Sequence, residues 1–111
     1  MRTAISDARR REEKKGKNGR VAAKITITLE EVMAKLKQHN YCCAVTGLQF
    51  WQDDAEKSYR PTSPSIDRLN PIGDYTAENT RIVLYGVNSL RGCGSDADMM
   101  RIAQAIVRRV P

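Results

Sequence analysis

The segment from residue 65 to residue 92 constrains the fold of this chain more than any other. Residues 65–69, Ser-Ile-Asp-Arg-Leu, alternate apolar and polar side chains as a short strand does. Residues 70–74, Asn-Pro-Ile-Gly-Asp, supply turn chemistry, and residues 81–85, Arg-Ile-Val-Leu-Tyr, have the composition of a returning strand. Residues 86–90 can open a short helix that ends near Gly92. The sequence therefore predicts a β-hairpin followed by a helix.

Two further helices are predicted on either side of this unit. Thr28 and Glu31 match a capping box, which places a helix at 29–39, and the β-branched residues 25–28 before it favour a short strand or an extended lead-in. Residues 95–109 have an N-cap at Ser95, acidic residues in the first turn, basic residues in the last and one apolar face. These helices would supply core that the short central unit lacks. We expect one small α+β domain over residues 25–111.

The basic residues are concentrated at the N-terminus. Residues 1–24 hold nine basic and three acidic side chains, whereas the rest of the chain holds ten of each. Such an asymmetry is the electrostatic pattern of a polyanion binder, because cations placed against phosphates release condensed counterions. We expect a flexible arm over residues 1–24 that binds nucleic acid, with contacts from Arg9, Arg10, Arg11, Lys14, Lys15, Lys17 and Arg20. The alternative is a solvated tail that only keeps the protein soluble.

The composition also excludes several classes of protein. No run approaches the roughly 20 apolar residues that span a bilayer, and the N-terminus is too charged for a secretory signal. Three cysteines, Cys42, Cys43 and Cys93, form no even disulfide framework, so we expect reduced thiols. The sequence predicts a soluble protein of the cytoplasm with no membrane partner.

Two stretches of the sequence together resemble a known family. Residues 43–50, Cys-Ala-Val-Thr-Gly-Leu-Gln-Phe, are followed at 64–88 by an ordered series of Asp-Arg, Gly-Asp-Tyr-Thr, Glu-Asn and a final Asn. This combination looks like the ββα-metal core, of the His-Me finger type, found in HNH endonucleases, and most of all in the small phage-type and endonuclease VII-like members. The similar stretch covers about 50 of the 111 residues. The location would be the host cytoplasm if a phage encodes the chain.

The resemblance implies a function and assigns roles by position. It implies a metal-dependent endonuclease or nickase that hydrolyses phosphodiester bonds, most simply in DNA. Asp67 and Asn88 resemble the ligands of Mg²⁺ or Mn²⁺, and Asn79 resembles the middle Asn that stabilises the hairpin. Arg81 and Arg91 are candidates for phosphate contacts.

Arg68 departs from the family at the position of its general-base histidine. A guanidinium cannot readily accept a proton from water at neutral pH, so catalysis would need another base, either a metal-bound hydroxide or the single histidine, His39. An arginine beside an acidic side chain could instead bind phosphate or form an ion pair with Asp67. The alternative function is therefore an HNH-like nucleic-acid-binding or regulatory module without catalysis. A third possible function is that of a phage-derived protein-interaction module, which binds a partner protein or a second copy of this chain through the C-terminal helix.

The second departure concerns zinc. Many family members carry two Cys-x-x-Cys knuckles, which form a closed tetrahedral site. Here Cys43 is followed by Thr46 in place of the second cysteine, and the other knuckle would fall at Leu84 and Val87. We expect no structural zinc, packing by Leu48, Phe50, Trp51, Leu84 and Val87 in its place, and cysteines that act as buried small hydrophobes.

Overall fold

Four helices and one two-stranded antiparallel sheet form the part of the chain that the computed structural model describes, residues 2–17, 22–51 and 60–109. In chain order the elements are α1 (Arg2–Lys17), α2 (Leu29–Gln38), β1 (Pro64–Arg68), β2 (Thr80–Leu84), α3 (Tyr85–Arg91) and α4 (Asp96–Arg109). Together they make a small α+β domain, as predicted. None of the described helices is long and apolar enough to cross a membrane.

The predicted hairpin is present, and its two faces have different partners. Ile66 pairs with Ile82 across the strands, and both side chains are buried in the main core beneath α1 and α2. Side chains alternate along a strand, so Ser65 and Asp67 lie on the other face, where both contact side chains of α3. The hairpin is therefore a layer between two long helices and one short one.

Helix α1 contributes to the main core. Ala4, Ile5 and Ala8 are buried and pack with the apolar residues of α2 and of the hairpin, because their spacing places them on one helix face. The sequence predicted a separate flexible arm over 1–24, and the structure differs from that expectation over residues 2–17. The helix also continues through Gly16 to Lys17, where the sequence predicted a break. Residues 18–21 lie outside the described part of the chain.

Helix α2 follows its sequence signals closely. The Thr28 hydroxyl accepts a hydrogen bond from the Glu31 backbone at 3.2 Å, and the Glu31 carboxylate accepts one from the Thr28 backbone at 3.0 Å. Val32 and Leu36 are buried in the main core. The residues before the helix form an extended lead-in with a single bridge from Ile25 to Tyr75. The predicted capping box is confirmed.

A second, smaller core lies where the resemblance would place zinc. Cys43, Val83 and Leu84 are buried there, with Phe50 and Val87 packed against them. Leu48 and Trp51 were wrongly predicted to join them, since their side chains are 59% and 63% exposed.

The three cysteines have different environments. Cys43 is buried, Cys42 is half-buried and Cys93 is exposed, so the prediction of three buried thiols holds only for Cys43. Burial alone would raise the pKa of the Cys43 thiol, but hydrogen bonds from Thr46 and from the Leu84 backbone help to lower the pKa below its ordinary value. In the described residues all three cysteines are free of disulfide bonds.

Candidate nucleic-acid interface

A cleft of about 370 Å³ lies where α1, the hairpin and α3 meet. Its charged lining residues are four cations and one anion: Arg11, Lys15, Arg68, Arg91 and Asp67. Two tyrosines, Tyr75 and Tyr85, and the amide of Asn88 also line it. The lining holds more cations than anions, and the carboxylates of Glu12 and Asp67 pair with three of the four cations.

Asp67 lies in the cleft wall with both carboxylate oxygens engaged. Its register partner on β2, Arg81, donates from Nε to Oδ2 at 2.8 Å. Arg91, the last residue of α3, donates from Nη1 to Oδ1 at 2.9 Å. Arg91 also donates to the backbone oxygens of Arg68 and Leu69, so its guanidinium is fixed from several sides.

The same two arginines bind a second carboxylate at the start of α4. Arg81 donates from Nη1 and Nη2 to the two oxygens of Asp96, at 2.9 and 2.7 Å. The Nε of Arg91 lies 3.1 Å from Oδ1 of Asp96. The hydrogen bonds between Arg81 and Asp96 lower the pKa of Asp96 and raise the pKa of Arg81. We call these four residues, Asp67, Arg81, Arg91 and Asp96, the charge network.

Arg68 follows Asp67 and links the hairpin to α1. Its guanidinium lies over the Tyr75 ring, 4.7 Å from the centroid, and Nη1 donates to the Gly73 carbonyl at 3.0 Å. The same Nη1 is 3.5 Å from the carboxylate of Glu12, a buried residue of α1 that also pairs with Lys15 at 2.9 Å. These contacts fix the Arg68 guanidinium between the hairpin and α1, and its ion-pair partner among the described residues is Glu12 and not the adjacent Asp67.

Asn79 holds the turn of the hairpin. Its side-chain nitrogen donates to the carbonyl oxygens of Asn70 and Asp74, at 3.2 and 2.9 Å, and its oxygen accepts from the Asn70 backbone at 2.9 Å. A Cβ atom at Gly73 would lie 2.7 Å from that nitrogen, so a larger residue there would displace the Asn79 amide. These hydrogen bonds tie the two ends of the turn together.

Asn88 joins α3 to β1. Its side-chain nitrogen donates to the Ser65 hydroxyl at 2.9 Å and to the Ile66 carbonyl at 3.3 Å. Asp67 and Asn88 therefore border the same cleft, as the resemblance implies. The arrangement fits a divalent cation poorly, because guanidinium groups occupy both oxygens of Asp67. The residues that the structure describes also contain no group of three or more His, Cys, Asp or Glu side chains able to hold a metal.

The other predicted contact residues divide into two sets. On α1, Arg9, Arg10, Arg11 and Lys14 are exposed, Lys15 is half-buried, and Arg11 donates to the Tyr75 hydroxyl at 3.3 Å. Arg20 and the side chain of Lys17 lie outside the described residues. His39 is exposed at the C-cap of α2 and is not among the residues that line the cleft.

Three residues of this site were not predicted from the sequence. Glu12 lies four residues after Ala8, on the buried face of α1, and this spacing is the signal that could have identified it. Asp96 was interpreted only as an acidic residue in the first turn of a helix. Nothing in the local pattern of Tyr75 shows that Arg68 packs on its ring.

Comparisons with protein-family models, with curated proteins and with solved structures found no match to this chain. The geometry alone therefore defines the site. It is a cleft on a hairpin-and-helix unit, bordered by the charge network and by exposed cations of α1.

Proposed function

We propose that this protein binds nucleic acid through its phosphate backbone, in the cleft between α1 and the hairpin, as a module built on an HNH-like ββα scaffold. The observation that carries the proposal is the set of exposed cations on one side of α1, Arg10, Arg11 and Lys14, of which Arg11 lines the cleft. Asp67 accepts from Arg81 and Arg91 at its two oxygens, so it offers no free oxygen to a metal. DNA is the first ligand to test, because the resemblance points to it.

The charges around the cleft support a polyanionic ligand. Arg11 lines it, and the exposed side chains of Arg10 and Lys14 extend the positive surface along the same side of α1. Each phosphate neutralised by such a side chain releases counterions and strengthens binding at low salt. Contacts of this kind fix the orientation of the nucleic acid without reading its sequence, so we expect recognition of the backbone or of shape.

The order of elements supports the HNH-like scaffold. β1, β2 and α3 follow one another directly, α3 contacts both strands, and Asn79 ties the turn between them. At the position of the family's general base, Arg68 is fixed by Tyr75, Gly73 and Glu12. A residue held in this way, and cationic at neutral pH, suits binding and not proton abstraction.

The test is fluorescence anisotropy with a labelled DNA duplex over a salt series. Arg11→Gln removes one cation from the cleft, and Lys37→Gln removes one from an exposed position of α2 as the matched control. We expect weaker binding for Arg11→Gln and a slope of log K against log salt that is smaller by about 0.9. Equal effects of the two variants would show that only net charge matters, and no binding by the natural protein would overturn the proposal.

A metal-dependent endonuclease or nickase is the second candidate function. Asp67 on β1 and Asn88 on α3 both border the cleft, which is the placement that the HNH resemblance implies for metal ligands. For Mg²⁺ or Mn²⁺ to bind there, the arginines would have to release Asp67.

Nicking of supercoiled plasmid separates the two candidates. The natural protein is incubated with Mg²⁺, Mn²⁺ or EDTA, beside Asp67→Asn and Arg68→His, with circular dichroism to confirm that each variant is folded. Nicking that is lost in EDTA and in Asp67→Asn would establish the nuclease. DNA binding without nicking, with activity appearing only in Arg68→His, would establish the binding module.

A further inference from the structure

Helix α4 has an apolar stripe that the described part of the chain covers only at its start. Met99 is buried and α4 contacts α3, but Ile102 and Ile106 are 46% and 52% exposed. The charge network anchors the first turn through Asp96. The later turns of α4 therefore leave about half of each isoleucine side chain exposed.

Opposite charges lie at the two ends of this stripe. Asp98, Ile102, Ile106 and Arg109 are spaced by four, four and three residues, which places them along one face of the helix. Asp98 and Arg109 are both exposed, and neither has an ion-pair partner among the described residues. The face thus runs from an acidic end through an apolar middle to a basic end.

We propose that two copies of this protein associate by antiparallel pairing of their α4 helices about a two-fold axis. In that arrangement Ile102 lies against Ile106 of the partner subunit, and Asp98 lies beside Arg109 of the partner subunit. A two-fold contact uses the same patch on both copies, so the patch must complement itself. A face that is acidic at one end and basic at the other complements a second copy of itself only when the two helices are antiparallel.

The size of the surface sets the strength of this contact. α4 has 14 residues and is about 21 Å long at 1.5 Å per residue. One helix per copy is a small interface compared with the roughly 1,600 Å² of a standard complex, so the dimer is weak and dependent on concentration. Dimerisation would place two basic clefts in one particle, and their avidity would strengthen binding to a long nucleic acid.

Analytical ultracentrifugation of the full chain over a wide range of concentrations tests the pairing. The natural protein should show a monomer–dimer equilibrium. Asp98→Arg and Arg109→Asp should each weaken it about tenfold or more, because each places like charges together at both ends of the contact. The double variant Asp98→Arg with Arg109→Asp should restore the dimer, since the ion pairs are formed again with their signs exchanged.

Val107→Asp is the matched control, because Val107 is 74% exposed but lies on the other side of α4. It should leave the equilibrium unchanged, and circular dichroism should show the same helix content in every variant. A natural protein that is monomeric at all concentrations would overturn the proposal. A dimer whose equilibrium is unchanged by the charge reversals would also overturn it, as would a dimer that dissociates in Val107→Asp, because either result would mean that the copies associate through a different surface.

Discussion

Arg91 and Asp67 form an ion pair between Nη1 and Oδ1 at 2.9 Å, with side chains only 5% and 4% exposed. Two charges removed from water in this way are costly unless each keeps its partner. The pair joins the end of α3 to the middle of β1, so it also fixes the wall of the cleft. The contribution of this ion pair to the stability of the fold can be measured separately from that of ordinary surface charges.

Replacing Arg91 with Leu should lower the free energy of unfolding by about 3–5 kcal/mol, because Asp67 loses one of its two buried partners. Urea denaturation measures the change. Arg101→Leu, at an exposed position of α4, is the control and should have little effect. Adding Asp67→Asn to Arg91→Leu should recover part of the loss, and a purely additive double variant would contradict the coupling.

Two glycine substitutions should have effects of opposite sign. Gly73→Ala places a methyl group 2.7 Å from the side-chain nitrogen of Asn79, so it should disrupt the hairpin turn and destabilise the fold. Gly16→Ala, in α1, meets no atom within 4 Å and should be neutral or stabilising by up to about 1 kcal/mol. Thermal unfolding compares them directly. A harmless Gly73→Ala would mean that Asn79 does not hold the turn as described.

The stability of the protein should fall in acid partly through Asp96. Hydrogen bonds from Arg81 lower the pKa of Asp96 in the folded state. A carboxylate of this kind contributes stability above its unfolded pKa of about 3.9, and the contribution is lost as pH falls through the lower folded value. Asp96→Asn should therefore reduce stability at neutral pH and flatten its decline below about pH 4.

Denaturation by urea at several pH values measures this effect. The control is Glu78→Gln, at an exposed position before β2 that forms no ion pair among the described residues. It should leave the acid dependence closer to that of the natural protein. The same acid dependence in Asp96→Asn as in the natural protein would show that the contact with Arg81 adds nothing.

Deleting residues 1–17 should lower the melting temperature as well as weaken DNA binding. Helix α1 buries Ala4, Ile5 and Ala8 against the hairpin, and its Glu12 pairs with Arg68. Arg10→Gln should weaken DNA binding while leaving the melting temperature unchanged, because Arg10 is exposed. An unchanged melting temperature after the deletion would support the flexible arm that the sequence suggested.

Local patterns predicted most of the elements. Alternation in residues 65–69, the turn residues after them and the Thr28 capping box each act over a few neighbouring residues, so the hairpin and α2 could be predicted from sequence. The packing of α1 could not, because its short apolar face of Ala4, Ile5 and Ala8 is surrounded by charged residues. Membership of the HNH endonuclease family, which the resemblance implies, stays a prediction.

Most contacts in the site join residues that are distant in the sequence, so local patterns could not predict them. Asp67 and Asn88 line the same cleft because the hairpin and α3 are adjacent in the chain. The pairing of Asp67 with Arg81 needs the strand register, and the contact with Arg91 needs the packing of α3. Asp96 joins the site only because α4 begins beside these two arginines.

The charge network also restricts how this sequence can change over generations. Any single replacement of Asp67, Arg81 or Arg91 by a neutral residue leaves an opposite charge with fewer partners in a place that water reaches poorly. The intermediate would be less stable than both the starting and the final sequence. Substitutions at these positions should therefore spread in compensating pairs, and the four residues should be gained or lost together.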